Sequence, residues 1–133
     1  MNQYSEYLKM PGCMEFSVMQ QIHEEMLAEI GTDEEAIDLY QRLLDKSIRY
    51  TGIRAEWSKM SKEEKMNQDS SRTSAHNSVI IHFDMLARYL RNQGKPAAWR
   101  DILGPVDQDH PDNRKKIGDM ANYLVFVEAV THR

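Results

Sequence analysis

The stretch Ser71-Arg72-Thr73-Ser74-Ala75-His76-Asn77 places an arginine and a histidine four positions apart. On a helix that spacing puts both on one face, one turn from each other. A guanidinium presents a planar fork of donors that fits a phosphate, and an imidazole exchanges a proton near neutral pH. Together they suit phosphodiester chemistry, with Arg72 holding the phosphate and His76 acting as general acid or base. A plainer reading competes. His76 opens an apolar face that continues as Ile80, Phe83, Ala87 and Leu90. On such a face a histidine is expected to be a hydrogen-bonded core residue, partnered by Asn77 or Asp119, while Arg72 pairs with Asp69 or with an acidic residue on a neighbouring helix. The plainer reading is the expected one, so no catalytic residue is assigned. Arg72, His76, Asn77 and Asp119 stand as candidates.

Other chemistry finds less support. The histidines are His23, His76, His82, His110 and His132. His23-Glu24-Glu25 lacks the second histidine of a zinc helix, and no Glu-x-x-His occurs for a di-iron carboxylate bundle. His82 and Asp84 point to different faces of a helix. Asp107, Asp109, His110 and Asp112 cluster without calcium-loop spacing. Cys13, the single cysteine, excludes an intramolecular disulfide and any multi-cysteine zinc site. It reads as a small reduced hydrophobe at a helix entry. There is no phosphate-binding glycine loop, nucleophile elbow or dinucleotide fingerprint. No metal and no cofactor are expected.

The elements that must position these residues are helices. The chain has 133 residues, the size of one domain. Only 6 Gly and 4 Pro among them argue against a loop-rich β fold and against disorder. Residues 1–12 read as an arm, closed by Pro11-Gly12, in which Tyr4, Tyr7, Leu8 and Met10 can anchor on the body. Residues 13–133 read as one helical domain. Met19, Ile22, Met26 and Ile30 form one helix face, stopped by Gly31. Thr32 with Glu35 fits a capping box for a second helix whose face is Ile37, Tyr40, Leu44, Ile48 and Thr51. Gly52 need not end that helix, and Trp57 lies on its continuation. Ser61 with Glu64 is another capping box, followed by a break or helix entry at Asn67–Ser71. The next helix spans about 71–92, capped by Gly94, and Pro96 starts a short helix to Leu103. Gly104-Pro105 and an acidic loop lead to Pro111, which opens a last helix to about Val130. Ile117, Met120, Ala121, Leu124, Val127 and Val130 are its main face, and Val125 with Phe126 make it apolar on a second side. No strand pattern competes. The expected fold is an all-α single-domain bundle of about five to six helices with short loops.

Charge is unevenly spread. The formal net charge is −4, with 8 basic and 13 acidic side chains in residues 1–66 but 8 and 6 in residues 67–116. Arg88, Arg91, Lys95, Arg100, Arg114, Lys115 and Lys116 supply the positive side. A DNA-binding regulator using them, with a turn of helix-turn-helix length at Gly94–Pro96, is an alternative. Solvated helix faces are the simpler account in an acidic chain, and nucleic acid is not the expected partner. No signal peptide or membrane span is expected, and the cytoplasm is the default location.

Two resemblances bear on function. Arg72 and His76 resemble the Arg/His motif of the helical HEPN ribonucleases, although only three residues separate them here and the family spacing is longer. That likeness implies a small all-α domain, a dimer with the motif at its cleft, and Arg72 and His76 as catalytic residues. The blocks Arg72-Thr73-Ser74-Ala75-His76-Asn77 and Lys116-Ile117-Gly118-Asp119-Met120 resemble short helical proteins of bacteria and their mobile elements, a family of unknown function. This implies a bacterial origin and that Arg72, His76, Asn77 and Asp119 belong in one place.

The expected function is a non-enzymatic module that binds a protein partner or itself, possible dimers included. Nine methionines and an over-apolar last helix fit an adaptable binding surface as well as a core. Met19, Met26, Met85 and Met120 fall on apolar faces, where core filling is the default. Trp57, Trp99 and Phe126 are the partner-binding candidates, with Trp99, Ile102 and Leu103 as a short docking element.

Overall fold

The computed structural model describes residues 14–103 and 111–131, with side chains from 116 onward in the second segment. The expected arm, Cys13, His132 and the acidic loop with His110 lie outside the described residues. Five helices and no strand occur among the described residues. The protein is an all-α bundle.

Helix α1, Phe16–Ile30, buries Met19, Ile22, Met26 and Ile30, the face read from their spacing, and also His23. It stops at Gly31, whose φ of +51° is reached at little cost without a Cβ, and whose N–H donates to the Leu27 carbonyl. Helix α2, Glu34–Trp57, is capped by Asp33 rather than by Thr32. The Asp33 carboxylate accepts from the N–H groups of Glu35 and Ala36 at 3.0 and 3.2 Å. Glu34 and Glu35 in the first turn complement the positive end of the helix dipole.

The buried face of α2 is turned from the expected one. It holds Ala36, Leu43, Leu44, Ser47 and Tyr50, while Ile37 and Ile48 are exposed. Leu43, Leu44 and Tyr50 carry the burial of this face, and Ala36 and Ser47 lie fully buried beside them, the Ser47 hydroxyl without a hydrogen-bond partner.

Helix α3, Lys62–Asn92, is a single helix of 31 residues, about 46 Å long. It begins with the Ser61–Glu64 capping box, both arms of which form. There is no break at residues 67–71. That run contains neither Pro nor Gly, its side chains are solvated, and once a capped turn exists each further residue adds one backbone bond.

Helices α2 and α3 form a long antiparallel hairpin. Tyr89 meets Asp33, His76 meets Tyr50, and Arg72 meets Trp57. Helix α5, Pro111–Thr131, runs antiparallel to α2, so that Glu128 acts on Tyr40 and Asp119 on Tyr50. Helix α1 packs on α5 through Phe16 and Tyr123, whose rings lie 5.3 Å apart edge to face.

The short helix α4, Ala98–Leu103, starts later than Pro96 because the preceding loop is held by α1. The Glu29 carboxylate accepts from Ala97 N–H at 3.1 Å and from Trp99 Nε1–H at 2.8 Å, and Lys95 Nζ donates to the Glu29 carbonyl. This grip holds Ala97 at a φ of +45°. Met19, Met26 and Met120 are core residues beside Val79, Phe83, Leu86, Leu90, Ile117 and Leu124, whereas Met85 is half-buried. Each large apolar side chain so buried contributes about 1.5–3 kcal/mol. No helix among the described residues is long and apolar enough to cross a membrane.

Candidate functional site

Three of the four candidate residues gather around one tyrosine. Tyr50, Arg54 and Trp57 follow one another at four- and three-residue spacing along α2 and share a face. Arg72 and His76 face them from α3, and Asp119 reaches Tyr50 from α5. The His76 ring lies 5.3 Å from the Tyr50 ring, tilted by 56°. The Arg72 guanidinium carbon sits 5.1 Å from the Trp57 ring centroid, and that of Arg54 sits 6.0 Å from the same centroid. One indole therefore carries two cations, an arrangement favoured by the ring quadrupole and opposed by their mutual repulsion.

Arg72 Nη2 donates to Asp69 Oδ1 at 3.0 Å, one of the two pairings open from the sequence. Its Nε is buried and has no hydrogen-bond partner. A donor left so costs about 1–3 kcal/mol. Asp119 is 0% exposed and its Oδ2 accepts the Met14 backbone N–H at 2.6 Å, which ties the start of the described chain to the bundle. The Tyr50 hydroxyl is pushed up, chiefly by burial. The Arg54 and Arg72 charges pull it down, and Asp119 pushes it further up.

Asn77 does not join this cluster. One residue beyond His76, it turns to the outer side of α3, on an open face that it shares with Ser70, Thr73, Ser74, Ser78 and Ile81. Helical geometry separates adjacent residues by 100°, so His76 and Asn77 cannot both face Tyr50.

The remaining candidates are dispersed. Trp99 is 0% exposed and packs 6.3 Å from Phe83, so it is a core residue with no surface to offer a partner. Trp57 and Phe126 are half-buried. Among the basic residues, Arg91 holds the carbonyls of Pro96 and Ala97 and pairs with Asp101, and Lys95 is bound to Glu29. Arg100, 12% exposed at its side chain, lies 2.6 Å from Asp84. Arg88 is exposed and Lys116 half-buried, while the side chains of Arg114 and Lys115 are outside those described. Among the described residues no group of three His, Cys, Asp or Glu side chains is placed to hold a metal ion. His82 Nδ1 lies 2.7 Å from the Ser78 carbonyl of its own helix.

His23 is a polar core residue that sequence reading passed over. Its Nε2 is 2.9 Å from the Tyr40 hydroxyl, and its ring lies 5.5 Å from that of Tyr123. Burial pushes its pKa below the ordinary value, against the pull of Glu24. Its signal was present, because His23 lies four positions after Met19 and three before Met26, within the apolar face of α1. Searches against protein families, curated proteins and solved structures return no match.

Proposed function

We propose that the protein is a non-enzymatic helical module that pairs with a second copy of itself across the outer face of α3. One observation carries this reading. From Thr73 to Phe83 the helix contains no Asp, Glu, Lys or Arg, in a chain of which 29% is charged. Within that run Thr73, Ser74, Asn77 and Ile81 are exposed, and Ser78 is half-buried. A solvent-facing helix surface is ordinarily rich in charge.

The chemistry of this face suits a copy of itself. Ser70, Ser74 and Ser78 recur every four residues, and small side chains along such a row let a second helix approach closely. A two-fold interface places each residue near its own counterpart, so it favours groups that complement themselves. Hydroxyls and the Asn77 amide both donate and accept hydrogen bonds, and none of them repels its like. Ile81, 54% exposed, and Met66, 73% exposed, supply apolar contact further along the helix. Bacterial origin belongs to the same reading, supported by the resemblance of the Arg72–Asn77 and Lys116–Met120 blocks. The DNA-binding alternative gains no support from Arg91, Lys95 and Arg100, which are engaged within the fold.

Sedimentation equilibrium of the full chain tests the proposal. A dimer at tens of micromolar is expected, converted to monomer by Ser74→Glu or Asn77→Glu with the helical circular dichroism unchanged. A wild-type monomer at that concentration, or a dimer indifferent to both substitutions, overturns it.

A further inference from the structure

We propose that Arg54 and Arg72, presented on Trp57 at the seam of α2 and α3, form a binding site for a phosphate group. The two guanidinium carbons lie 6.0 and 5.1 Å from the centroid of one indole. Only one carboxylate, Asp69, pairs with either of them among the described residues, and it meets Arg72 alone. Two like charges brought to one ring repel each other, and an anion between them replaces that repulsion by two attractions.

Arg72 is only part satisfied. One of its terminal nitrogens reaches Asp69, while its Nε is buried without a hydrogen-bond partner. A tetrahedral oxyanion drawing Arg72 outward would receive Nε–H and Nη2–H together, the forked pairing that makes arginine a phosphate ligand. Exchange away from Asp69 costs little, since that carboxylate is largely exposed and regains water. Arg54 is exposed and free to close from the other helix.

The same features select a compact ligand, inorganic phosphate or a small phosphomonoester, over a nucleic acid. The Trp57 ring already carries two guanidinium groups, which compete with a base for its surface. A chain of net charge −4 also repels a long polyanion. Binding makes and breaks no covalent bond. The site lies on the α2 side of α3 and is separate from the outer face assigned to self-association.

Trp57 reports on its own site, because the only other tryptophan, Trp99, is fully buried in the core. The test is a fluorescence titration of the full chain with sodium phosphate, at ionic strength held constant with sodium chloride. A saturable change is expected, with apparent affinity at least ten-fold weaker in Arg54→Gln and in Arg72→Gln. Arg54→Lys, which keeps the charge and loses the fork, is expected to fall between. Arg54 is exposed, so its variants carry the test even if Arg72→Gln perturbs the fold, and Arg88→Gln serves as a charge-matched control expected to leave binding unchanged. No saturable response, a response equal in Arg54→Gln, or the same response to chloride alone overturns the proposal. So does a short single-stranded RNA that binds through these arginines where phosphate does not.

Discussion

The hydroxyl of Tyr89 donates to the carboxylate of Asp33, 2.7 Å from Oδ2 and 2.9 Å from Oδ1, across 56 positions of sequence. The same carboxylate caps α2 through Glu35 and Ala36. One side chain thus starts a helix and fastens it to the far end of the next one. The tie explains why Asp33 and not Thr32 is the cap, since only Asp33 serves both partners.

Asp33→Ala is accordingly expected to lower the urea midpoint clearly, and Thr32→Ala to leave it nearly unchanged. The linkage to pH has two signs. Hydrogen bonds from Tyr89 and the backbone hold the Asp33 carboxyl below its ordinary value, so its contribution is present above about pH 4 and is lost as pH falls. The Asp33 hydrogen bond pushes the Tyr89 hydroxyl up to about 12, so that contribution is full below about pH 10 and is lost as pH rises through the folded value. Tyr89→Phe should therefore flatten the alkaline loss of stability, measured as urea midpoints at stepped pH. An unchanged alkaline limb would overturn this account.

His23 predicts a second pH dependence. Burial lowers its pKa in the fold, so the folded protein binds its proton less readily than the unfolded chain. Stability from this source is full above about pH 6.5 and falls as pH drops below it. Between about pH 7 and pH 5.5 the urea midpoint of the wild type should decline more than that of His23→Leu. Equal slopes would show that His23 is not the group responsible.

The continuity of α3 through residues 67–71 gives a third prediction. Gln68 is exposed and lies inside the helix. Gln68→Pro removes a backbone donor and forces the ring against the preceding turn, at about 3 kcal/mol, whereas Gln68→Ala should be neutral or slightly stabilising. A break at this place would tolerate the proline, so chemical denaturation of the two variants separates the alternatives.

What could be read from the sequence was what is local. The Ser61–Glu64 box closes within four residues, and the face Met19, Ile22, Met26, Ile30 states its own period. The α2 face departs from the spacing of its large apolar residues, because Leu43, Ser47 and Tyr50 turn inward while Ile37 and Ile48 stay outside. The break at 67–71 was expected from polarity alone, but polarity marks a solvated surface as readily as a loop. Arg72, His76 and Asp119 could be nominated together, yet Tyr50, the residue they surround, carries no motif. Arg54 and Trp57 share a cluster with Arg72 only because α2 and α3 pair in this register. That register rests on contacts such as Asp33–Tyr89, which local sequence does not reveal.

Asp119 yields the last prediction. It is fully buried, and its Oδ2 takes the backbone N–H of Met14 at 2.6 Å, so it ties the start of the described residues to the bundle. Removing the carboxylate leaves that N–H without its acceptor, and a hydrogen bond to a charged group is worth about 1.5–3 kcal/mol. Asp119→Ala is expected to cost at least that much and to remove hydrogen-exchange protection at the Met14 amide. Asp119→Asn keeps an acceptor oxygen for Met14 and should retain much of the protection while losing the charge. The pair of variants divides two roles for this residue. If Asp119 acts by anchoring Met14, protection and stability fall together in the alanine variant and are spared together in the asparagine variant. Protection at Met14 that survives Asp119→Ala would mean that the anchor lies elsewhere.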